Sequence, residues 1–139
     1  MRRRFSGPAV AILCTGLFAA AQAPAGAQGG QGAMPAGVHP MQASGMTVLA
    51  EAKMMTLYTF AKDQPGVSNC NDNCAKNWPP LAAAADAKPM GDWTVITRAD
   101  GSKQWAYKGM PLYTWSKDAK PGDATGAGMG NGAWKVAAP

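Results

Sequence analysis

One short passage occurs twice in this chain. Residues 55–66 read MTLYTFAKDQPG and residues 110–122 read MPLYTWSKDAKPG. Met55, Leu57, Tyr58, Thr59, Lys62 and Asp63 recur as Met110, Leu112, Tyr113, Thr114, Lys117 and Asp118, with Trp115 in place of Phe60. Both copies run on to a Pro-Gly turn and later reach a tryptophan, Trp78 or Trp134. Six identities in nine ungapped positions are poorly explained by chance. The chain therefore holds two copies of one structural unit.

Each copy reads as a strand entering a turn. Side chains alternate across a strand, so Leu57 and Thr59 share one face while Tyr58 and Phe60 share the other. Leu112 and Thr114 oppose Tyr113 and Trp115 in the same way. Asp63 and Asp118 fall at the expected strand ends, where a short carboxylate accepts nearby backbone N–H bonds. Further strands are readable at Met46 to Ala50, Trp93 to Thr97, Lys103 to Tyr107, Met110 to Trp115 and Gly132 to Val136. Asp100-Gly101 is a strong hairpin signal between two of them. A short helix over Asn71 to Asn77 ends before Pro79-Pro80. The expected fold is all-β: a small antiparallel sandwich or barrel of about six strands, a strand count typical of such sheets.

The N-terminus carries an address. Arg2, Arg3 and Arg4 precede an apolar run from Pro8 to Ala21, which is shorter than the roughly 20 residues a membrane span needs. Ala25-Gly26-Ala27 then offers an A-x-A cleavage site, so residues 1–27 read as a signal peptide. Arg2-Arg3-Arg4-Phe5 partly resembles the twin-arginine export signal but departs from it at Ser6-Gly7. Cys14 lies inside the apolar run behind a bulky Leu13, a poor context for lipidation. Residues 28–45 are rich in Gly, Ala, Pro and Gln and read as a flexible leader. A duplicated β domain over 46–139 follows, with repeat one at about 46–81 and repeat two at about 93–136. The expected location is periplasmic or secreted, with no membrane span once the peptide is cleaved.

Removing 27 residues from 139 leaves 112, enough for one domain and few for two. The formal charge of +5 then falls to +2, because three of the thirteen basic residues leave with the peptide. The remaining basic residues are scattered lysines plus Arg98, a pattern that does not suit nucleic acid.

LYTFAKD and LYTWSKD resemble the Y-x-[FWY]-x-x-D motif of the bacterial family called the secreted repeat of unknown function. Tyr58, Phe60 and Asp63, with Tyr113, Trp115 and Asp118, are the motif residues. Cys70-Asn-Asp-Asn-Cys74-Ala-Lys-Asn-Trp78-Pro-Pro80 is similar to that family's cysteine-pair and W-P-P block. Thr97 to Trp105 and Lys108 to Tyr113 resemble its second half. The likeness runs from about Gly45 to Val136. It implies an envelope or secreted location and a two-copy domain, and it implies no activity. Many relatives are lipoproteins, whereas this chain lacks a credible lipobox. The loop after Pro121-Gly122 is also poorer in oxygen ligands than a calcium site needs.

Four groups of residues invite chemistry. Cys70 and Cys74, in an oxidising compartment, read most simply as a structural disulfide. Thiol exchange more often uses C-x-x-C, and metal binding needs further ligands. Met34, His39, Met41 and Met46 cluster near the start of the mature chain and are the set that soft Cu(I) would use. The plainer account is that methionine fills irregular cores and leaders. The aromatics read as core, with an exposed ligand platform as the sharper alternative. Asp63 and Asp118 suggest paired-carboxylate chemistry, but no base, nucleophile or oxyanion partner accompanies them. The expectation is a non-catalytic binding or interaction module without a cofactor, acting on an unknown envelope partner or small ligand. The alternative is a periplasmic copper-binding or redox accessory protein.

Overall fold

The computed structural model describes residues 32–139. The expected signal peptide, its cleavage site and Cys14 lie outside the described residues. Seven strands appear in chain order: β1 (His39–Ala43), β2 (Met46–Ala50), β3 (Tyr58–Phe60), β4 (Trp93–Thr97), β5 (Lys103–Tyr107), β6 (Met110–Pro111) and β7 (Trp134–Val136). Two short helical segments accompany them, α1 (Asn73–Asn77) and α2 (Met129–Gly132). All the strand pairs are antiparallel: β1 with β2, β3 with β7, and β4-β5-β6 in one sheet. The sheets pack as a small sandwich, not as a closed barrel.

The sandwich is organised about the repeat. Tyr58 N–H donates to the Tyr113 carbonyl at 2.8 Å, and Tyr113 N–H returns to the Tyr58 carbonyl at 2.9 Å. This mutual exchange is the hydrogen-bonded pair of an antiparallel ladder. It places an approximate twofold axis between the two tyrosines. On the outer side of Tyr58 lies Val136, and on the outer side of Tyr113 lies Pro80. Each repeat's tyrosine strand thus pairs with the closing strand of the other repeat. Pro79 and Pro80 lack N–H groups, so the pairing at Tyr113 is a single bridge where β3 and β7 make a full ladder.

The same exchange continues one residue away from the axis. Leu49 N–H donates to the Ala137 carbonyl, Ala137 N–H to Leu57 and Leu57 N–H to Leu49, which closes a three-way junction. Trp105, Leu81 and Leu112 close an equivalent junction in the other half. Strand alternation then divides the interior in two. Leu57 and Leu112 enter a cluster with Val38, Leu49, Trp93, Trp105 and Ala137. Tyr58 and Tyr113 enter the opposite cluster with Cys70, Trp78, Trp115 and Trp134.

Several boundaries differ from expectation. The strand expected over Met110 to Trp115 is only β6, Met110–Pro111, with Tyr113 beyond it in isolated bridges to Tyr58 and Pro80. The helix expected from Asn71 begins at Asn73. Residues 39–43, assigned to a flexible leader, form β1 and pair with β2 in full register from His39–Ala50 to Ala43–Met46. The turn between them is Ser44-Gly45, with φ of 51° and 78°, the left-handed pair that a two-residue hairpin requires. The leader composition hides this strand because only Ala43 of its five residues is buried. The domain therefore begins before Met46. At the other end, Gly132 belongs to α2, where Gly130 and Asn131 have left-handed dihedrals, and the closing strand starts at Trp134.

Candidate functional site

The residues shared by the two repeats meet at the axis. Tyr58 Oη donates to Asp118 Oδ2 at 2.7 Å, and Tyr113 Oη donates to Asp63 Oδ2 at 2.6 Å. Each tyrosine is bonded to the aspartate of the other copy. Both aspartates sit in the turn that ends their own strand, with Asp63 N–H donating to the Phe60 carbonyl and Asp118 N–H to Trp115. Their second oxygens hold the loops that follow. Asp63 Oδ1 accepts from Asn69 N–H at 2.6 Å, and Asp118 Oδ1 accepts from Thr125 N–H at 3.0 Å and the Thr125 hydroxyl at 2.5 Å. The phenolic oxygens also accept: Gly126 N–H reaches Tyr58 Oη at 3.3 Å, and Ser68 Oγ lies 2.5 Å from Tyr113 Oη.

Burial sets the electrostatics of these pairs. Both tyrosine hydroxyls are pushed well above the ordinary phenol range, first by desolvation and then by the carboxylate each one faces. Burial also raises Asp63, against the lowering effects of its bonds from Tyr113 and Asn69 and of the nearby Arg98 charge. Arg98 is itself buried, with 6% of its surface exposed. Its guanidinium donates to Ser68 Oγ at 3.0 Å, Gln104 Oε1 at 2.8 Å and the Cys70 carbonyl at 2.6 Å. Arg98, Ser68, Tyr113 and Asp63 thus form one directed chain of hydrogen bonds. Among the described residues no buried side-chain nitrogen or oxygen lacks a partner.

Beside the tyrosines, four aromatic rings stack in one column. Phe60 lies on Trp134 with centroids 4.3 Å apart, Trp134 on Trp78 at 3.7 Å, and Trp78 on Trp115 at 4.1 Å. The order alternates between repeats, and the twofold relates Phe60 to Trp115 and Trp78 to Trp134. Tyr58 meets Trp78 edge-on at 5.2 Å, and Tyr113 meets Trp134 edge-on at the same distance. Edge-on and offset contacts are those that ring quadrupoles favour. Gly126 closes the side of the column: a Cβ there would fall 2.5 Å from the Trp78 ring and 3.1 Å from that of Trp115.

Clefts also open on the surface of the described residues. One, of about 340 Å³, is bounded by Ala36, Val38, Glu51, Leu81, Trp105 and Thr114. Another, of about 440 Å³, is bounded by Asn71, Asp72, Ala75, Arg98, Ala99 and Asp100.

The family model for the secreted repeat of unknown function matches residues 42–82 and 94–138. This chain belongs to that family. The two matched segments coincide with the two structural repeats, each running from a hairpin through its motif tyrosine, Tyr58 or Tyr113, to its closing tryptophan, Trp78 or Trp134. No curated protein and no solved structure matches the chain.

In this secreted-repeat protein the remaining candidate residues separate. Cys70 and Cys74 are joined as a disulfide across the start of α1. Met34, His39, Met41 and Met46 do not form one site. Met34 packs, half-buried, against the aliphatic cluster. His39 pairs with Ala50 and Met46 with Ala43, so they stand at opposite ends of the hairpin, about 13 Å apart by strand rise. That span is too great for one ion. The five tryptophans are all buried and belong to the core, though Trp105 also borders the first cleft. Arg98, Ser68, Gln104 and Gly126 were missed by sequence reasoning. They lie outside the repeated passage, and Arg98 looks like any surface cation until the fold is known.

Proposed function

We propose that this secreted-repeat protein is a non-catalytic binding module of the bacterial envelope, exported to the periplasm by a signal peptide cleaved after Ala27. The observation that supports the reading is the closure of both motif carboxylates. Asp63 and Asp118 each accept a buried tyrosine hydroxyl and a loop N–H, so their geometry holds the two repeats together. A carboxylate occupied in this way is poorly placed to act as base or nucleophile. The surface we assign to a partner is the cleft beside Trp105, where apolar walls from Val38 and Leu81 lie with Glu51 and Thr114. A concave, mostly apolar site with few polar groups suits a small ligand or a narrow peptide segment.

The test uses mature protein in the native envelope. Ala36→Trp and Ala82→Trp place bulk in that cleft from exposed positions. Crosslinking followed by recovery of the bound partner should fail with either variant while the thermal midpoint stays unchanged. Undiminished recovery with both variants rejects this cleft as the binding surface.

A further inference from the structure

The paired tyrosines and the tryptophan column have a chemistry that a purely structural role does not use. An oxidised phenol becomes strongly acidic, so a buried tyrosine loses an electron easily only where a proton acceptor is already in contact. Tyr58 and Tyr113 each have one, a carboxylate at 2.7 and 2.6 Å. Both tyrosines are fully buried, so water is not the competing acceptor. Electron transfer falls off steeply with distance, and every step from either tyrosine into the column is a ring contact. Tyr58 touches Trp78, Tyr113 touches Trp134, and those two indoles lie parallel at 3.7 Å. Trp115 extends the column to an edge with 7% of its surface open, and half-buried Phe60 covers Trp134 at the other end.

We propose that this protein carries single oxidising equivalents from its surface to the two buried tyrosine–aspartate pairs. The electron acceptor is an outer-sphere one-electron oxidant, such as a high-potential metal complex, meeting the column at Trp115. The oxidant takes one electron from Trp115, and Trp78 refills Trp115. Tyr58 then refills Trp78, its O–H bond breaks, and the proton moves to Asp118 Oδ2. The balance is one oxidant reduced by one electron, one neutral tyrosyl radical and one protonated aspartate. Trp134 links Tyr113 and Asp63 to the same column, and there the carboxylate is already shifted toward holding a proton. Ser68 Oγ, 2.5 Å from Tyr113 Oη, leaves the resulting oxygen radical a hydrogen-bond donor. The equivalent therefore rests on a closed pair instead of on backbone or methionine.

Photogenerated tris(bipyridine)ruthenium(III) supplies the oxidant to intact, disulfide-bonded mature protein, and transient absorption and electron paramagnetic resonance identify the radicals. An indole radical should form first and decay into a tyrosyl radical, more slowly in D2O than in H2O. Tyr107→Phe, which removes the only tyrosine outside the two pairs, should leave the tyrosyl signal at its wild-type size. Tyr58→Phe with Tyr113→Phe should abolish it and leave the indole radical long-lived. A signal lost with Tyr107→Phe, or one that stays on indole in the wild type, overturns the proposal. So does a tyrosyl radical that persists in the double variant. Should the double variant not fold, Tyr107→Phe decides the matter alone.

Discussion

The Tyr58 hydroxyl donates to Asp118 at 2.7 Å, from one repeat into the other and across 60 positions of sequence. Its counterpart, Tyr113 to Asp63, crosses in the opposite direction. A tyrosine and an aspartate five residues apart in the same copy never bond to each other. The repeated passage therefore specifies a junction between copies, and neither copy completes it alone.

Removing either carboxylate's charge should weaken that junction. Asp63→Asn and Asp118→Asn each present an amide donor to groups that already donate, at a cost of about 1–3 kcal/mol. The thermal midpoints of the two variants should fall by similar amounts, about 4–8 °C for each kcal/mol in a domain of this size. A large loss in one and none in the other contradicts the approximate twofold.

Stability should also depend on alkali. Tyr58 and Tyr113 hold their protons more tightly when folded than at the ordinary phenol value of 10.0. A raised value stabilises the fold fully below that point, and the contribution is lost as pH climbs toward the folded value. Unfolding free energy should therefore decline above about pH 10. Tyrosinate absorbance from these two residues should appear together with loss of the near-ultraviolet circular dichroism of the column. Their titration in a still-folded protein contradicts the burial described here. Asp63 acts with the same sign at the acid end: its contribution shrinks as pH rises from 3.8 through its elevated folded value.

Much of this fold was legible in the sequence because local rules govern it. Alternation placed Leu57 and Leu112 on one face and the tyrosines on the other, and Asp100-Gly101 marked its hairpin. The loop bonds of Asp63 and Asp118 follow from a short carboxylate at a strand end. The partner of each tyrosine was not legible, because bonding within a copy and bonding between copies leave the same pattern in the chain. Arg98 was hidden for a similar reason: its burial depends on the repeat-two hairpin reaching the disulfide loop of repeat one. β1 was missed because it lies at an edge and buries almost nothing, although Ser44-Gly45 carried a turn signal.

Gly126 should resist even the smallest enlargement. Its position needs no special backbone, but a methyl group there meets the Trp78 ring at 2.5 Å. Gly126→Ala should destabilise the protein by about 1–3 kcal/mol through overpacking. It should also alter tryptophan fluorescence, since the column has to shift. A midpoint equal to wild type contradicts the closeness of that contact.

The disulfide should be worth less than the junction. Closing so short a loop contributes about 2 kcal/mol. Replacing Cys70 and Cys74 together by serine should lower the midpoint and leave the circular dichroism of the fold in place. Mass spectrometry of the mature protein, from Gln28 on, should find two alkylatable thiols only after reduction. Free thiols before reduction contradict the bond between these residues.

A double-mutant cycle tests the crossed junction most directly. Tyr58→Phe combined with Asp118→Ala, and Tyr113→Phe with Asp63→Ala, should each show a coupling of about 0.5–3 kcal/mol in unfolding free energy. Tyr58→Phe with Asp63→Ala, and Tyr113→Phe with Asp118→Ala, should be additive within about 0.5 kcal/mol. Coupling confined to the pairs within one copy, with additivity across copies, would contradict the exchange on which the fold, the function and the redox proposal all rest.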